Sequence, residues 1–488
     1  MPDCFEIAYK DLAGRIGRLT TPHGTVETPL LMPVVNPHLL MLPAFQLQEI
    51  GAEMLITNSY IISQDEELSS AAQEKGLHGL LDFSGPIMTD SGAFQLSVYG
   101  SIDVQPLEIL RFQQSIRSDV CVPLDIPTPP DVDLQRAERE LRETFRRLEE
   151  AALHRDDLLL AGPVQGSTYP QLREEAGRRL RNMPFDIYPV GGVVPLMESY
   201  RFSDLVEVVA AAKRGLGPGV PVHLFGAGHP MVFALAVALG CDLFDSAAYA
   251  IYARDGRYLT AGGTWKLEDL EYLPCSCPVC KKNDIQTLRE SPDRFRLLAR
   301  HNLEVSFQEI RLVKQHIRDG SLWEHLEGRC RSHPRMYEAF RRLTGHASWL
   351  EGLDRASKST FFSLSSRSAR RPEVLRHKMR LTRLCLSGSV LVTDQRIDRA
   401  EKELYDHVLA FKPPFGPIPA ALSETYPLNA EVPREPDEES TRAALEALSM
   451  LESACPDARF TKKIGGQRSL EGYPTEPSTV CHDPGGVA

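Results

Sequence analysis

Five apolar runs in the first half of the chain are each followed directly by a carboxylate, an amide or a pair of glycines. Asp90 follows Pro86–Thr89, Asp125 follows Val120–Leu124, and Gln165 follows Leu158–Val164, with Gly166 after it. Gly191 and Gly192 follow Ile187–Val190, and Asp245 follows Asp242–Phe244. Carboxylates gathered at one place shift one another's pKa values, so that one is ionised while a neighbour keeps its proton. Taken singly, each position has a plainer explanation. An aspartate after a strand is ordinarily a turn residue or a helix N-cap, Asp245-Ser246 would cap a following helix, and Gly191-Gly192 would make a turn. What argues for function is the coincidence of three aspartates and a glutamine at equivalent ends of different strands.

A second group has the chemistry of a metal site. Cys275, Cys277 and Cys280 place three thiols within six residues. His301 is available as a fourth ligand, with His316 and His325 as alternatives. Ten cysteines in 488 residues are too sparse for a disulfide scaffold. Three cysteines and a histidine are a tetrahedral zinc set without an open position, hence a structural Zn2+, one per chain. The competing explanation is three reduced, buried cysteines and an unrelated histidine.

The elements that must position these residues follow from the periodicity. Eight short β-rich runs occur, at Pro29–Val34, Glu53–Thr57, Pro86–Thr89, Val120–Leu124, Leu158–Val164, Ile187–Val190, Val222–Phe225 and Asp242–Phe244. Helical patterns lie between them, among them Leu134–Leu153, Gln171–Arg181, Leu205–Arg214 and Pro230–Leu239. Strands joined through helices run parallel, so eight such units predict an α/β fold, a (β/α)8 TIM barrel, whose strand ends converge on one mouth. A doubly wound open sheet is the alternative; no G-x-G-x-x-G follows an early strand to support it. The expected organisation is a catalytic barrel over residues 1–345 with an inserted zinc-binding subdomain at 275–301. A smaller α+β C-terminal domain follows over 346–420, and a short second region over 421–488.

A mostly helical stretch is expected over Ser291–Leu326, and strand–helix alternation is expected to stop near residue 345. Ser366–Arg383 carries seven Lys/Arg (Arg367, Arg370, Arg371, Arg376, Lys378, Arg380, Arg383) against one acid, Glu373, and reads equally as a solvated face or an RNA contact. Pro413–Pro419 reads as a turn-rich seam, and the last twenty residues, rich in Gly, Pro and Ser, as a poorly ordered tail.

Composition narrows the class. A net charge of -11 excludes a coat protein that binds nucleic acid through bulk positive charge. The longest apolar stretch, Met231–Leu239, is far below the ~20 residues that span a bilayer. The start, MPDCFEIAYKD, shows no secretory pattern, so a cytoplasmic protein without membrane association is expected.

The segments MTDSGAFQ, VQG, VGGVVPLM, HLFGAGHP, FDSAAYAIYARDGRY and CSCPVC together resemble the tRNA-guanine transglycosylases. GGVVP, SAAYAIYARD and FFSLSSRSARRPEVLRH resemble their archaeal branch, and the likeness runs from about Phe5 to Leu428. The resemblance implies exchange of guanine at position 15 of tRNA for 7-cyano-7-deazaguanine, on the route to archaeosine, through a covalent enzyme–RNA intermediate. It makes Asp245 the nucleophile and Asp90 the proton-handling group, with Asp90 as the alternative nucleophile. It assigns Asp125 and Gln165 to the edges of the base, the backbone at Gly191 and Gly192 to its carbonyl oxygen, and Cys275, Cys277, Cys280 and His301 to zinc. It also implies a homodimer. The family's archaeal members commonly end in an RNA-binding PUA domain. The 60 residues after Leu428 are expected to be too few to hold one, so a separately encoded PUA-domain partner is expected. A queuine-type enzyme acting on the anticodon and a non-catalytic RNA-binding subunit are the competing functions; the presence of both Asp90 and Asp245 argues against the second.

Overall fold

The computed structural model describes residues 4–93 and 105–465. Phe94 and Gln95 of the MTDSGAFQ segment and the C-terminal tail lie outside the described residues.

The chain opens with an antiparallel sheet of β1 (Phe5–Asp11), β2 (Gly14–Thr21) and β3 (Gly24–Thr28). Eight parallel strands follow: β4 (Leu30–Val35), β5 (Leu55–Asn58), β6 (Ile87–Asp90), β7 (Val120–Cys121), β8 (Leu159–Leu160), β9 (Tyr188–Val190), β10 (Val222–Leu224) and β11 (Leu243–Ser246). Their order is β8-β7-β6-β5-β4-β11-β10-β9. Parallel bridges Ala161↔Ile187 and Val164↔Val190 join the two outer strands, with Gly162 N–H donating to Ile187 O at 2.8 Å and Val164 N–H to Pro189 O at 2.7 Å. The sheet therefore closes on itself, as a TIM barrel does.

Every helix pattern read between the strands is present. Leu134–Leu153 is one helix, capped by the Asp133 side chain accepting from Arg136 N–H, and it buries the stripe Ala137, Leu141, Phe145 and Leu148. Pro170–Leu180, Phe202–Leu216 and Pro230–Ala238 complete the set. The last is apolar all round because strands, helices and the long helix Arg294–Asp319 enclose it.

Two cores follow from the two-residue period of the strands. Inward residues Leu30, Met32, Met54, Ile56, Met88, Val120, Val122, Ile187 and Leu243 fill the barrel, and Phe5, Leu19 and Val26 of the N-terminal sheet plug one end. Outward residues such as Leu31, Leu55, Ile87 and Phe244 pack against the helices. One step further along the inward faces of Ile56, Met88 and Leu243 stand Asn58, Asp90 and Asp245. The interior thus changes from apolar to polar at the open mouth.

Strand–helix alternation does not end near residue 345. After helices Pro334–Thr344 and Pro372–Leu381 it resumes in a four-stranded sheet, order β16-β15-β14-β17, from β14 (Gly388–Thr393), β15 (His407–Lys412), β16 (Gly416–Pro419) and β17 (Ala458–Lys463). The helix Glu438–Ala454 covers this sheet through Ala444, Ala447, Leu448 and Leu451. Pro413 and Pro414 form the turn between antiparallel β15 and β16, and the sheet draws strands from both sides of residue 420.

The basic segment is largely consumed inside this part of the protein. Arg367 and Arg370 pair with Glu439, and Arg371 pairs with Glu324 and Glu373. Arg376 pairs with Glu351 at 2.7 Å, and Lys378 with Glu446 at 2.8 Å. Five of its seven cations are thus held by acids distant in sequence.

Candidate active site

Asp90, Asp125, Gln165, Gly191, Gly192 and Asp245 all stand at or just past the C-terminal ends of barrel strands. Asp90 ends β6 and lies opposite Asn58 in the parallel register. Asn58 Nδ2 donates to Asp90 Oδ2 at 2.9 Å, while Asn58 Oδ1 accepts from Ile61 N–H and fixes the amide's orientation. Asp90 is half-buried. Burial first, then the charges of Asp125 and Asp245, push its pKa up to about 7, against backbone N–H groups of Gly92 and Ser91 that favour the charged form. The three carboxyl groups therefore act on one another, and Asp90 is poised to gain and lose a proton near neutrality.

Asp125 is 3 % exposed, and burial pushes its pKa up to about 6. Gln165 opposes that shift by donating from Nε2 to Asp125 Oδ2 at 2.6 Å, and the charges of Arg147 and Arg173 oppose it further. Gln165 Oε1 is buried and has no hydrogen-bond partner among the described residues. A Cβ at Gly191 would stand 2.2 Å from Gln165 Nε2, so the amide occupies space that only glycine leaves open. Gly192 has φ +69, a conformation that glycine adopts without strain.

Asp245 is 8 % exposed. Its Oδ1 lies 2.8 Å from His223 Nε2 and accepts from Gly226 N–H at 2.7 Å. His223 and Asn58 were not identified as site residues from the sequence. Nor was Arg173, a fully buried guanidinium that donates from Nη1 to Val164 O at 2.6 Å and from Nε to Ser167 O at 2.8 Å. It holds the turn that carries Gln165, and burial pulls its pKa down to about 9. The only sequence signal for His223 is its place in HLFGAGHP, two residues before Phe225 on the same strand face.

The sulfur and nitrogen atoms of Cys275, Cys277, Cys280 and His301 lie within 4.8 Å of one another, a group able to hold one metal ion. His301 Nδ1 faces Cys277 Sγ at 3.5 Å and Cys280 Sγ at 3.4 Å, and Nε2 faces Leu259 O at 3.0 Å, so the ring presents Nδ1 to the thiols. Tyr258 stacks on the imidazole with ring centroids 3.6 Å apart. Four protein ligands would fill a tetrahedral shell and leave no place for a reacting water. His316 instead faces Ser321, and His325 faces Glu309.

At the opposite end of the barrel His23 and His78 both contact Asp119, at 2.8 and 3.0 Å. Their rings stack at 3.6 Å and 25°, so their in-plane lone pairs do not converge on one ion, and the trio is a hydrogen-bonded clasp. No helix among the described residues is long and apolar enough to cross a membrane.

The family described as queuine tRNA-ribosyltransferase matches residues 11–335. Among similar proteins, one from Methanosarcina barkeri (strain Fusaro / DSM 804), named tRNA-guanine(15) transglycosylase, is 58% identical over 462 residues, covering 94% of each chain. A protein of the same name from Archaeoglobus fulgidus is 48% identical, over 93% of this chain and 94% of its own. Another from Thermococcus kodakarensis is 49% identical over 87% of this chain and 70% of its own.

Proposed function

The chain belongs to the queuine tRNA-ribosyltransferase family, and from that premise we propose that it is an archaeal-type tRNA-guanine(15) transglycosylase. It replaces guanine at position 15, in the D-arm, with 7-cyano-7-deazaguanine, a step of archaeosine biosynthesis. The observation that carries the chemical reading is the meeting at one barrel mouth of Asp90, which titrates near neutrality, with Asp245, a carboxylate whose Oδ1 is tied by neighbouring donors.

In this reading the target nucleotide swings out of its stack, at a cost on the order of a few kcal/mol. Asp245 attacks the ribose C1′ as the C1′–N9 bond breaks through an oxocarbenium-like transition state. Asp90 gives its proton to the leaving guanine and later takes the proton of the incoming base. Asp125 accepts from the N1–H and amino group of the base as a fork does, and Gln165 Oε1, without a partner among the described residues, is a further acceptor. Of the glycine pair, Gly192 brings its backbone N–H to the base carbonyl, while Gly191 N–H donates to Val164 O at 3.3 Å and gives the amide of Gln165 its space. One glycosidic bond replaces another, so no nucleotide triphosphate is consumed. The exchange runs toward the deaza base because guanine leaves more readily: its N7 accepts a proton or hydrogen bond, whereas the 7-deaza base has carbon there.

We assign the Cys275, Cys277, Cys280 and His301 group to one structural Zn2+ per chain. A homodimer, a cytoplasmic location and a separately encoded PUA-domain partner belong to the same reading. Tight tRNA binding by this chain alone would remove the partner.

The deciding experiment incubates purified protein with tRNA labelled in its guanines and offers either 7-cyano-7-deazaguanine or queuine. Release of label from position 15 with the first only is expected. Release from the anticodon with queuine would replace this reading with the anticodon enzyme.

A further inference from the structure

We propose that His223 is a positioning residue whose Nε2–H pins Oδ1 of Asp245, leaves Oδ2 to attack, and makes Asp245 a better leaving group when the incoming base arrives. The proposal rests on the reading of Asp245 as nucleophile and goes beyond it by assigning the two oxygens separate tasks.

The tautomer follows from the surroundings. His223 is fully buried, and its Nδ1 has no hydrogen-bond partner among the described residues. A carboxylate oxygen only accepts, so the contact of 2.8 Å to Asp245 Oδ1 requires the hydrogen on Nε2. Gly226 N–H reaches the same oxygen at 2.7 Å. Both donors fall on Oδ1, and among the described residues none falls on Oδ2.

That asymmetry bears differently on the two steps. In the first, an Oδ2 lone pair forms the C1′–Oδ2 bond while the C1′–N9 electron pair leaves with guanine. Oδ1 becomes a carbonyl oxygen with less charge, and its hydrogen bonds weaken. In the second, N9 of the incoming base attacks C1′, the C1′–Oδ2 pair returns to the carboxylate, and the N–H bonds strengthen as charge returns to Oδ1. Removing the imidazole donor therefore slows breakdown of the adduct and does not slow its formation.

The test uses labelled tRNA with wild-type, His223→Gln and His223→Leu protein and no added base. Adduct is measured on a denaturing gel, and its decay is followed after 7-cyano-7-deazaguanine is added. Gln, whose amide nitrogen reaches about as far as Nε2, is expected to keep decay within about threefold of wild type. Leu should slow decay about 10- to 100-fold, with as much or more adduct per enzyme. Should His223→Leu fail to fold, His223→Asn replaces it, since its amide is too short to reach Oδ1. Less adduct with unchanged decay, or no change in either, would overturn the proposal. No adduct in the wild type, or an adduct persisting in Asp245→Asn, would instead remove Asp245 as nucleophile, a separable result.

Discussion

Gln165 reaches Asp125 only because residue 191 has no side chain: a Cβ there would stand 2.2 Å from Gln165 Nε2, which itself donates to Asp125 at 2.6 Å. In the proposed reading, Gly191 thus shapes the base-binding geometry while Gly192 supplies the backbone donor. Gly191→Ala is expected to displace the amide, raise KM for the incoming base and lower kcat/KM about 100-fold, since an ångström of misplacement has that order of effect. The melting temperature should change little by comparison. Full activity in the variant would detach Gln165 from recognition.

Asp90 is predicted to hold a trade-off between activity and stability. Its folded pKa lies above the ordinary value of 3.8, at about 7, so the folded state binds its proton more tightly than the unfolded chain does. The stabilising effect is complete below about pH 4 and is lost as pH rises to 7, where the carboxylate becomes a burden on the fold. Asp90→Asn should therefore raise stability at pH 8 by about 1–3 kcal/mol and lose that gain below about pH 4. The same substitution should lower turnover about 10²–10⁴-fold. In the wild type, departure of guanine should slow as pH rises through 7. Denaturant melts at pH 4 and pH 8 test the first part, and single-turnover rates the second.

The metal group is predicted to act on the site through the chain rather than through chemistry. Beside His301, Asn302 accepts from Leu259 N–H at 2.9 Å and donates to Arg257 O and Tyr249 O. The helix that carries both therefore braces the segment following Asp245. Metal analysis should find about one zinc per chain, kept in Asp245→Asn and lost in Cys280→Ser. Loss should lower the melting temperature by on the order of 5–10 °C, with activity falling in parallel. An active, equally stable Cys280→Ser protein without metal would refute the structural assignment.

The sequence shows the barrel because each strand is a short apolar run ending in a polar group, a signal that needs no knowledge of contacts. Asp90, Asp125, Gln165, Gly191 and Asp245 were readable for the same reason: a barrel sends all those ends to one mouth. His223 was not readable, because inside a strand it resembles any core histidine. Its partner is chosen by the register that sets Leu224 beside Phe244. Arg173 looks like one more charge on a helix until its burial is seen. The basic segment misled in a related way. Composition counts its cations but not Glu324, Glu351, Glu439 and Glu446, which the fold brings to them. The C-terminal α+β domain was expected, but its strands could not be placed, because they follow a long helical, charged stretch without the evenly spaced pattern of the barrel.

Those buried charges yield the last prediction. Lys358 is enclosed and lies 2.7 Å from Asp11 of β1, 2.9 Å from Asp354 and 3.0 Å from Glu373. One ammonium thus joins the N-terminal sheet to the segment entering the C-terminal sheet. Asp354 and Asp11 also accept from Leu12 N–H and Leu322 N–H, so the carboxylates stay in place if the lysine is removed. Lys358→Met should therefore cost about 3–5 kcal/mol, the penalty of buried charge left without its partner. Burial holds Asp354 up at about 6 even with Lys358 beside it, and loss of the lysine can only raise it further. The deficit should then shrink between pH 8 and pH 5 as that carboxyl takes up a proton. Adding Asp354→Asn to Lys358→Met should recover part of the loss at pH 8, a coupling that a double-mutant cycle would read directly. Additive losses at both pH values would mean that the lysine contributes through its methylenes and not its charge.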